Sequence, residues 1–206
     1  TLIWDSIPTQ LARENKKFMF SHVRSGARAK DLEDALEWLI DAGLVHKTKR
    51  VDPPKVPLSI YADNASFKIY MADLGILRKM ARLRPDFMFS KDKDMDLFRG
   101  MAAENYVHNE VLRSAEGPLY YWRSDGKAEV DIIAQIEGVA VPIEVKAGNS
   151  PSKSLSEYIR KYSPPIAVKA SMATGGNGVV CNIPIYAIWK VRDHIHRSMR
   201  SGTDTQ

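Results

Sequence analysis

Apolar residues in the first part of the chain recur every three or four positions, which predicts helices. Residues 1–15 are typical of a short helix that is broken near Pro8. Residues 29–42 have the stronger pattern, and Gly43 directly after them supplies a stop. We therefore expect a small helical region at the start of the chain.

Two strand patterns follow, at residues 44–51 and from residue 67, where the second strand runs into a helix ending near residue 77. A proline-containing turn at residues 52–57 separates them. Helices followed by a two-stranded hairpin, or wing, are typical of a winged helix-turn-helix. We assign such a domain to residues 1–80.

The charges of these elements bear on DNA binding. The helix at residues 29–42, which would enter the major groove, has five acids against Lys30 alone, a net charge of 1 − 5 = −4 that opposes phosphates. The wing is basic, and Lys47, Lys49 and Arg50 are the candidate nucleic-acid-binding residues. The alternative is an ordinary solvated edge whose charges discourage strand aggregation.

From about residue 97 the pattern changes to helix, three strands, helix and two further strands, which predicts an α/β domain with a mixed sheet and flanking helices. We assign this domain to residues 81–196 and expect residues 197–206 to be a disordered tail. The glycine-rich stretch 174–178 is expected to be a loop, and it lacks the Lys-Ser/Thr of a phosphate-binding loop. Two helices are predicted, at residues 97–115 and 152–162. Five strands are predicted, at residues 118–124, 129–136, 139–146, 165–171 and 183–191.

The central strands are predicted to form a hairpin with a two-residue turn at residues 137–138. Opposed residues then sum to 275, so Asp131 faces Glu144 and Glu129 faces Lys146 on one face of the sheet. The eight residues on the other face of this hairpin are all apolar, so that face must be covered by other elements. They are Val130, Ile132, Ala134, Ile136, Val139, Val141, Ile143 and Val145.

Pro142 lacks a backbone donor, which suits a sheet edge, a bulge or a strand end better than a central strand. The opposition of Asp131 and Glu144 costs roughly 0.2 to 1 kcal/mol unless a positive group compensates. Lys146 can compensate in a surface salt-bridge patch with Glu129. A divalent cation with oxygen ligands, such as Mg²⁺, is the other candidate.

Glu104 lies near the middle of the apolar stripe that Leu97, Met101 and neighbouring residues form on the helix at 97–115, with His108 one turn on. Burial of an unpaired carboxylate costs several kcal/mol. We therefore expect Glu104 to be paired, protonated or bound to a cation.

Composition narrows the class of protein only a little. The chain has 206 residues, 44% hydrophobic content and a net charge of +5, which permit a sizeable core and favour an anionic partner. A single cysteine, Cys181, excludes an internal disulfide and a cysteine-rich metal site. The absence of a long apolar run and of a secretory signal predicts a cytoplasmic protein without membrane spans. Because the chain begins at Thr1, we expect it to be a piece of a longer protein.

Glu104 on a helix, Asp131 on a strand and "IEVK" with Glu144 and Lys146 on the next strand resemble the PD-(D/E)XK nuclease superfamily. More closely, "FKIYMADLGIL", "AAENYVHNEV", "KAEVDIIAQ", "PIEVKAG" and "IPIYAIW", in this order, resemble a C-terminal region of unknown function in bacterial and archaeal AAA-type ATPases. The likeness covers nearly the whole chain. It implies a restriction-endonuclease-like sheet here and an ATPase domain before Thr1.

The nuclease resemblance implies a role for each matching residue. Asp131, Glu144 and the carbonyl oxygen of Val145 would bind Mg²⁺ or Mn²⁺, and Glu104 would complete or tune the metal site. Lys146 would orient the attacking water or act as its base. The implied activity is Mg²⁺-dependent hydrolysis of DNA, controlled by the ATPase. Two alternatives stand beside it: a non-catalytic module that binds DNA or protein, and a salt-bridge network without a site.

Overall fold

The computed structural model describes residues 2–13, 16–84, 95–147 and 151–203, which form a mixed α/β structure. The described helices are α1 (Leu2–Leu11), α2 (Ala29–Asp41), α3 (Leu74–Met80), α4 (Asp96–Leu112), α5 (Lys153–Tyr162) and α6 (Val191–Thr203). The described strands are β1 (Val45–Val51), β2 (Ala62–Met71), β3 (Tyr120–Arg123), β4 (Glu129–Ile136), β5 (Val139–Val145), β6 (Ala167–Ser171), β7 (Gly175–Asn177) and β8 (Val180–Pro184). Short 3₁₀ segments occupy Phe20–His22, Leu58–Tyr61 and Ile185–Lys190.

The eight described strands are hydrogen-bonded in the order β2-β1-β3-β4-β5-β6-β8-β7. Pairing is antiparallel from β3 to β5 and parallel from β5 through β6 to β8, which confirms the predicted mixed sheet. The parallel pairing of β1 with β3 joins Lys49 to Tyr120 and Arg50 to Tyr121. The two strands predicted as a wing, β1 and β2, are neighbours in the sheet, and β1 also has β3 on its other side.

The chain divides into two compact units, and the first comprises Thr1–Thr48 and Ala65–Asn105. α1 continues through Pro8, where the sequence predicts a break. α2 has its predicted bounds to within a residue, and Gly43 after it has φ of +67°, a left-handed conformation that glycine adopts without strain. The core of this unit is apolar, and it includes Ile3, Ile7, Leu36, Val45, Ile69, Met71 and Leu77.

One position of the predicted apolar stripe on α4 differs from the expectation. Leu97 is 61% exposed, whereas Met101, four residues later, is buried. Leu97 is the second residue of the helix, where the buried face has not yet begun, and Phe98 beside it is buried instead. Glu104 is buried as expected, with 4% of its surface exposed.

The second unit comprises Lys49–Asn64 and Tyr106–Gln206. Tyr120, Tyr121 and Trp122 of β3 are buried in it. The Trp122 indole N–H donates to the Tyr162 hydroxyl at 3.0 Å, and that hydroxyl donates to Asp52 at 2.8 Å. These aromatic side chains are therefore part of the core, where buried polar groups must find partners.

The β4–β5 hairpin has the predicted register. Ile132 pairs with Ile143, so opposed residues sum to 275, and Glu137 and Gly138 form the turn with φ of +52° and +73°. Both positive values fit a type I′ turn, whose twist matches that of the strands. Pro142 lies in a strand with neighbours on both sides, not at an edge. It is tolerated there because registered pairing with β6 begins only at Ile143.

The C-terminal part departs from the predicted elements. Residues 175–177, expected to be a loop, form the short strand β7. Glycine at position 176 allows β7 to approach β8 closely, because a Cβ there would lie 2.6 Å from the Val180 carbonyl oxygen. The strand predicted at 183–191 ends at Pro184 and continues as a 3₁₀ segment. α6 then extends to Thr203, so residues 197–203 of the predicted disordered tail are helical. None of the described helices has the length and apolar content to span a membrane.

Candidate functional site

Asp131 lies where the ladder between β4 and β5 ends. The last registered pair before it is Ile132 with Ile143. One carboxylate oxygen of Asp131, Oδ2, accepts a hydrogen bond from the backbone N–H of Val145 at 2.8 Å. The side chain thus serves as the acceptor where the main-chain ladder stops, and this contact fixes the carboxylate beside the end of β5.

Glu144 is buried, with 2% of its surface exposed, and both of its carboxylate oxygens have partners. Oε2 accepts from the backbone N–H of Leu155 at 2.8 Å, and Oε1 lies 2.7 Å from Nζ of Lys146. Leu155 is the third residue of α5, and the first N–H groups of a helix have no partner within it. Glu144 therefore caps α5, and its negative charge is favourable at the positive end of the helix dipole.

Lys146 is held by its backbone while its side chain reaches solvent. Its N–H donates to the Ala170 carbonyl oxygen of β6 at 2.8 Å. The side chain is 30% exposed and forms the ion pair with Glu144. The ion pair described for Glu129, on the same face, is with Arg123 at 4.0 Å. We use the name polar corner for Asp131, Glu144 and Lys146.

Glu104 belongs to the first unit, where its carboxylate is surrounded by donors. The Tyr70 hydroxyl donates to Oε1 at 2.6 Å, Lys68 Nζ lies 3.6 Å from the same oxygen, and Lys16 forms an ion pair with Oε2. Burial raises the pKa of Glu104. The charges of Lys16 and Lys68 and the hydrogen bonds from Lys16 and Tyr70 lower it by more, so the pKa falls from 4.5 to about 2. Of the three expected states, the structure shows the paired one.

The partners of Glu104 were not found from the sequence, although β2 contains a signal. Ser66, Lys68 and Tyr70 alternate with apolar residues and so share one face of the strand. Lys68 is fully buried, and a lysine flanked by Phe67 and Ile69 in a strand indicates a buried counter-charge. The role of Glu104 in a metal site stays a prediction.

The three candidate nucleic-acid-binding residues of β1 have contacts within the protein. Lys47 Nζ lies 2.6 Å from Glu37 Oε1 and 4.8 Å from the centre of the Phe67 ring. Arg50 Nε lies 3.9 Å from Asp63 Oδ2. Lys49 pairs with Tyr120 in the parallel ladder. Phosphate binding by Lys47 or Arg50 would have to compete with these carboxylates, and it stays a prediction.

Cation binding by the two carboxylates of the polar corner stays a prediction. Within the described ranges, no three side chains of His, Cys, Asp or Glu converge in a way that could hold a metal ion. Mg²⁺ often uses only one or two protein carboxylates and completes its shell with water and substrate phosphates. Asp131, Glu144 and Lys146, near the ends of neighbouring strands, make this part of the α/β sheet the candidate site.

Two family models match parts of the chain, and each is described as a domain of unknown function. DUF4143 matches residues 99–186, and DUF8612 matches residues 1–86. The DUF4143 domain is found in C-terminal regions associated with AAA-type ATPases, which supports that part of the resemblance. The match contains the whole polar corner as well as Glu104.

Two curated proteins are similar to the chain. They are Uncharacterized protein Mb2031c of Mycobacterium bovis and Uncharacterized protein Rv2008c of Mycobacterium tuberculosis, each 29% identical over 90 residues. The match covers 43% of this chain and 20% of each relative, so the chain spans about a fifth of the relatives' length. No solved structure matches the chain.

The capping contact of Glu144 can be tested by its effect on stability. Glu144→Ala removes the acceptor for Leu155 N–H, and we expect the free energy of unfolding to fall by about 1 to 2 kcal/mol. Glu144→Gln keeps an acceptor oxygen and should cost less than Glu144→Ala. Urea denaturation of both variants measures the difference. Ser152→Ala is the matched control, because the Ser152 side chain at the usual cap position makes no capping hydrogen bond. An equal cost for Gln and Ala would contradict the cap.

Proposed function

We propose that the second unit hydrolyses phosphodiester bonds of DNA with the help of Mg²⁺, as the C-terminal region of an AAA-type ATPase. The observation that carries the proposal is the polar corner: Asp131 and Glu144 come from adjacent strands, and Lys146 lies 2.7 Å from Glu144 with part of its side chain in solvent. The match to DUF4143 supports the association with an ATPase.

The residues of the corner fit a magnesium ion by their chemistry. Asp131 and Glu144 would hold the ion through hard oxygen ligands, with the Val145 carbonyl as a further candidate. When bound, the ion would offset phosphate charge and make a coordinated water more acidic. The contact of Asp131 with Val145 N–H keeps the first carboxylate at the strand end, and the contact of Glu144 with α5 fixes the second.

We assign Lys146 to hold the attacking water and not to take its proton. An ammonium group donates hydrogen bonds and cannot accept a proton, and the Glu144 carboxylate lies 2.7 Å from this ammonium group as its ion-pair partner. Its exposed fraction leaves the group accessible to a substrate phosphate. Lys146 can therefore donate to a phosphate oxygen or to the water while Glu144 keeps it in place.

The test is incubation of supercoiled plasmid, linear duplex, branched DNA and single strands with Mg²⁺, Mn²⁺ or EDTA. We expect metal-dependent cleavage that Asp131→Ala abolishes and that Glu129→Gln leaves within about twofold of the wild-type rate. Glu129 is the matched control, because it lies on the same face of β4 but is paired with Arg123. Cleavage that persists in Asp131→Ala would come from a contaminant, and no cleavage by the wild type would contradict the proposal.

A specific observation favours a second candidate, a non-catalytic module coupled to the ATPase. Both carboxylate oxygens of Glu144 have partners within the protein, and Asp131 accepts a hydrogen bond from the Val145 N–H. The polar corner therefore also stabilises the end of the sheet. A purely structural corner predicts that Asp131→Ala lowers the melting temperature and that divalent ions leave the wild-type melting temperature unchanged. A rise with Mg²⁺ that disappears in Asp131→Asn would favour the nuclease.

A further inference from the structure

The 3₁₀ segment Ile185–Lys190 presents two large aromatic side chains to solvent. Tyr186 is 66% exposed and Trp189 is 55% exposed. Residues three apart eclipse each other in a 3₁₀ helix, so these two rings share the outward face. Ile188 is completely buried and Ile185, three residues earlier, is half-buried, so these two side chains form the inward face that anchors the segment. The pattern therefore builds an exposed aromatic face on a fixed support.

The strand register places this face at the same edge of the sheet as the polar corner. Val145 pairs with Ala170, and Ala170 pairs with Ile183 across the parallel strands β5, β6 and β8. Neighbouring strands lie about 4.8 Å apart, so the backbone of Ile183 is roughly 10 Å from that of Val145. Lys146 follows Val145 directly, and the 3₁₀ segment starts two residues after Ile183. A short stretch of an extended polymer can span this separation.

The charge beside the rings suits a polyanion. Lys190 Nζ lies 4.7 Å from the centre of the Trp189 ring. Residues 190–203 contain Lys190 and three arginines against Asp193, a net charge of 4 − 1 = +3. One of the arginines, Arg192, is paired with Glu116 and Glu137. Exposed aromatic rings next to cations are what proteins use to stack bases while neutralising the neighbouring phosphates.

We infer that Tyr186 and Trp189 form a stacking platform for unpaired DNA bases, which gives the polar corner a substrate with a single-stranded segment. The inference rests on the proposed function for the choice of DNA as the polymer. Bases within a duplex are already stacked on each other and do not expose their faces, so the platform selects single strands, flaps or branched junctions. A protein surface that covers the same rings is the competing occupant.

Binding of labelled DNA in EDTA tests the platform without any cleavage. The probes are a fluorescein-labelled oligothymidylate and a blunt duplex of equal length, with fluorescence anisotropy as the readout. Stacking contributes about 5- to 150-fold in affinity for each base, so Trp189→Ala should weaken oligothymidylate binding by such a factor. Trp189→Phe should retain much of the oligothymidylate affinity that Trp189→Ala loses. In both variants the affinity for the duplex should change by less than about twofold. Tyr186→Ala should weaken oligothymidylate binding in the same direction.

Trp38→Ala is the matched control, because Trp38 is 65% exposed on α2 of the first unit. It should bind both probes as the wild type does. In a Trp38→Phe background, where Trp4, Trp122 and Trp189 remain, oligothymidylate should also quench part of the tryptophan fluorescence, and an added Trp189→Phe change should remove this quenching. Wild-type oligothymidylate binding that is absent, or that both Tyr186→Ala and Trp189→Ala leave intact, overturns the inference and favours a protein occupant.

The two proposals fail in different ways. If Trp189→Ala loses oligothymidylate binding but the wild type cleaves no DNA with Mg²⁺, the platform stands and the nuclease is rejected. If the wild type cleaves and the Trp189→Ala and Tyr186→Ala variants bind and cleave single strands at the wild-type rate, the nuclease stands and the platform is rejected.

Discussion

Lys146→Ala is expected to lower metal-dependent DNA cleavage by about 100-fold or more, because a positioned donor at the reacting group contributes a factor of this size. Divalent-ion binding should remain, since Asp131 and Glu144 supply the carboxylates. Single-turnover cleavage measures the first effect, and the rise of the melting temperature with Mg²⁺ measures the second. Lys146→Arg should recover only part of the rate, because the guanidinium is larger and donates in a different geometry.

Lys153→Ala is the matched control for this experiment. Lys153 is an exposed lysine at the first position of α5, close in sequence to Leu155 but without a contact to Glu144 among the described ion pairs. Its removal should leave cleavage unchanged. Full activity in Lys146→Ala would refute the assigned role. Loss of cleavage together with loss of the Mg²⁺ effect would show that Lys146 maintains the corner and does not act in the reaction.

Glu104→Leu is expected to reduce the free energy of unfolding by about 3 to 5 kcal/mol, the usual cost of removing one partner of a buried ion pair. The change leaves Lys16 and the fully buried Lys68 without this carboxylate, and it also removes the acceptor of the Tyr70 hydroxyl. Glu104→Gln keeps the shape and an acceptor for Tyr70, so it should cost less. Urea denaturation at neutral pH measures both. The control is Glu110→Gln, a glutamate of the same helix whose described ion pair is with the exposed Arg113.

The same carboxylate predicts how stability depends on pH. The pKa of Glu104 is lowered from 4.5 to about 2 in the folded protein, so the folded state holds this proton more weakly than the unfolded chain does. The contribution is therefore fully present above about pH 4.5 and is lost as the pH falls toward about 2. The shift corresponds to about 3 kcal/mol. The stability difference between the wild type and Glu104→Gln should shrink over this window, and a constant difference would contradict the assignment.

Local patterns were sufficient for much of the fold. The bounds of α2 and α5 follow from apolar spacing, and the register of β4 and β5 follows from a two-residue turn and the alternation of strand side chains. The burial of Glu104 followed from its place in an apolar stripe. These features depend on neighbours within about one helical turn or across one tight turn.

Long-range pairing could not be obtained in this way. β1 lies beside β3, although about 70 residues separate them in the chain, so the strands predicted as a wing are part of the larger sheet. The partners of Glu104 come from residues 16, 68 and 70, far from it in sequence. Tyr186 and Trp189 lie in what the sequence predicts to be a strand, whose two-residue period would not have placed both rings on one exposed face.

The alternation of strand side chains and the register of a tight turn were enough to predict that Asp131, Glu144 and Lys146 lie on one face of the sheet. The sequence also predicted that Glu104 needs compensation. The groups that compensate each charge became visible in the folded chain: α5 and Lys146 for Glu144, the Val145 N–H for Asp131, and two lysines with a tyrosine for Glu104. The physical reason is that periodicity orients a side chain, whereas its electrostatic partners are set by distant segments that folding brings within a few ångströms.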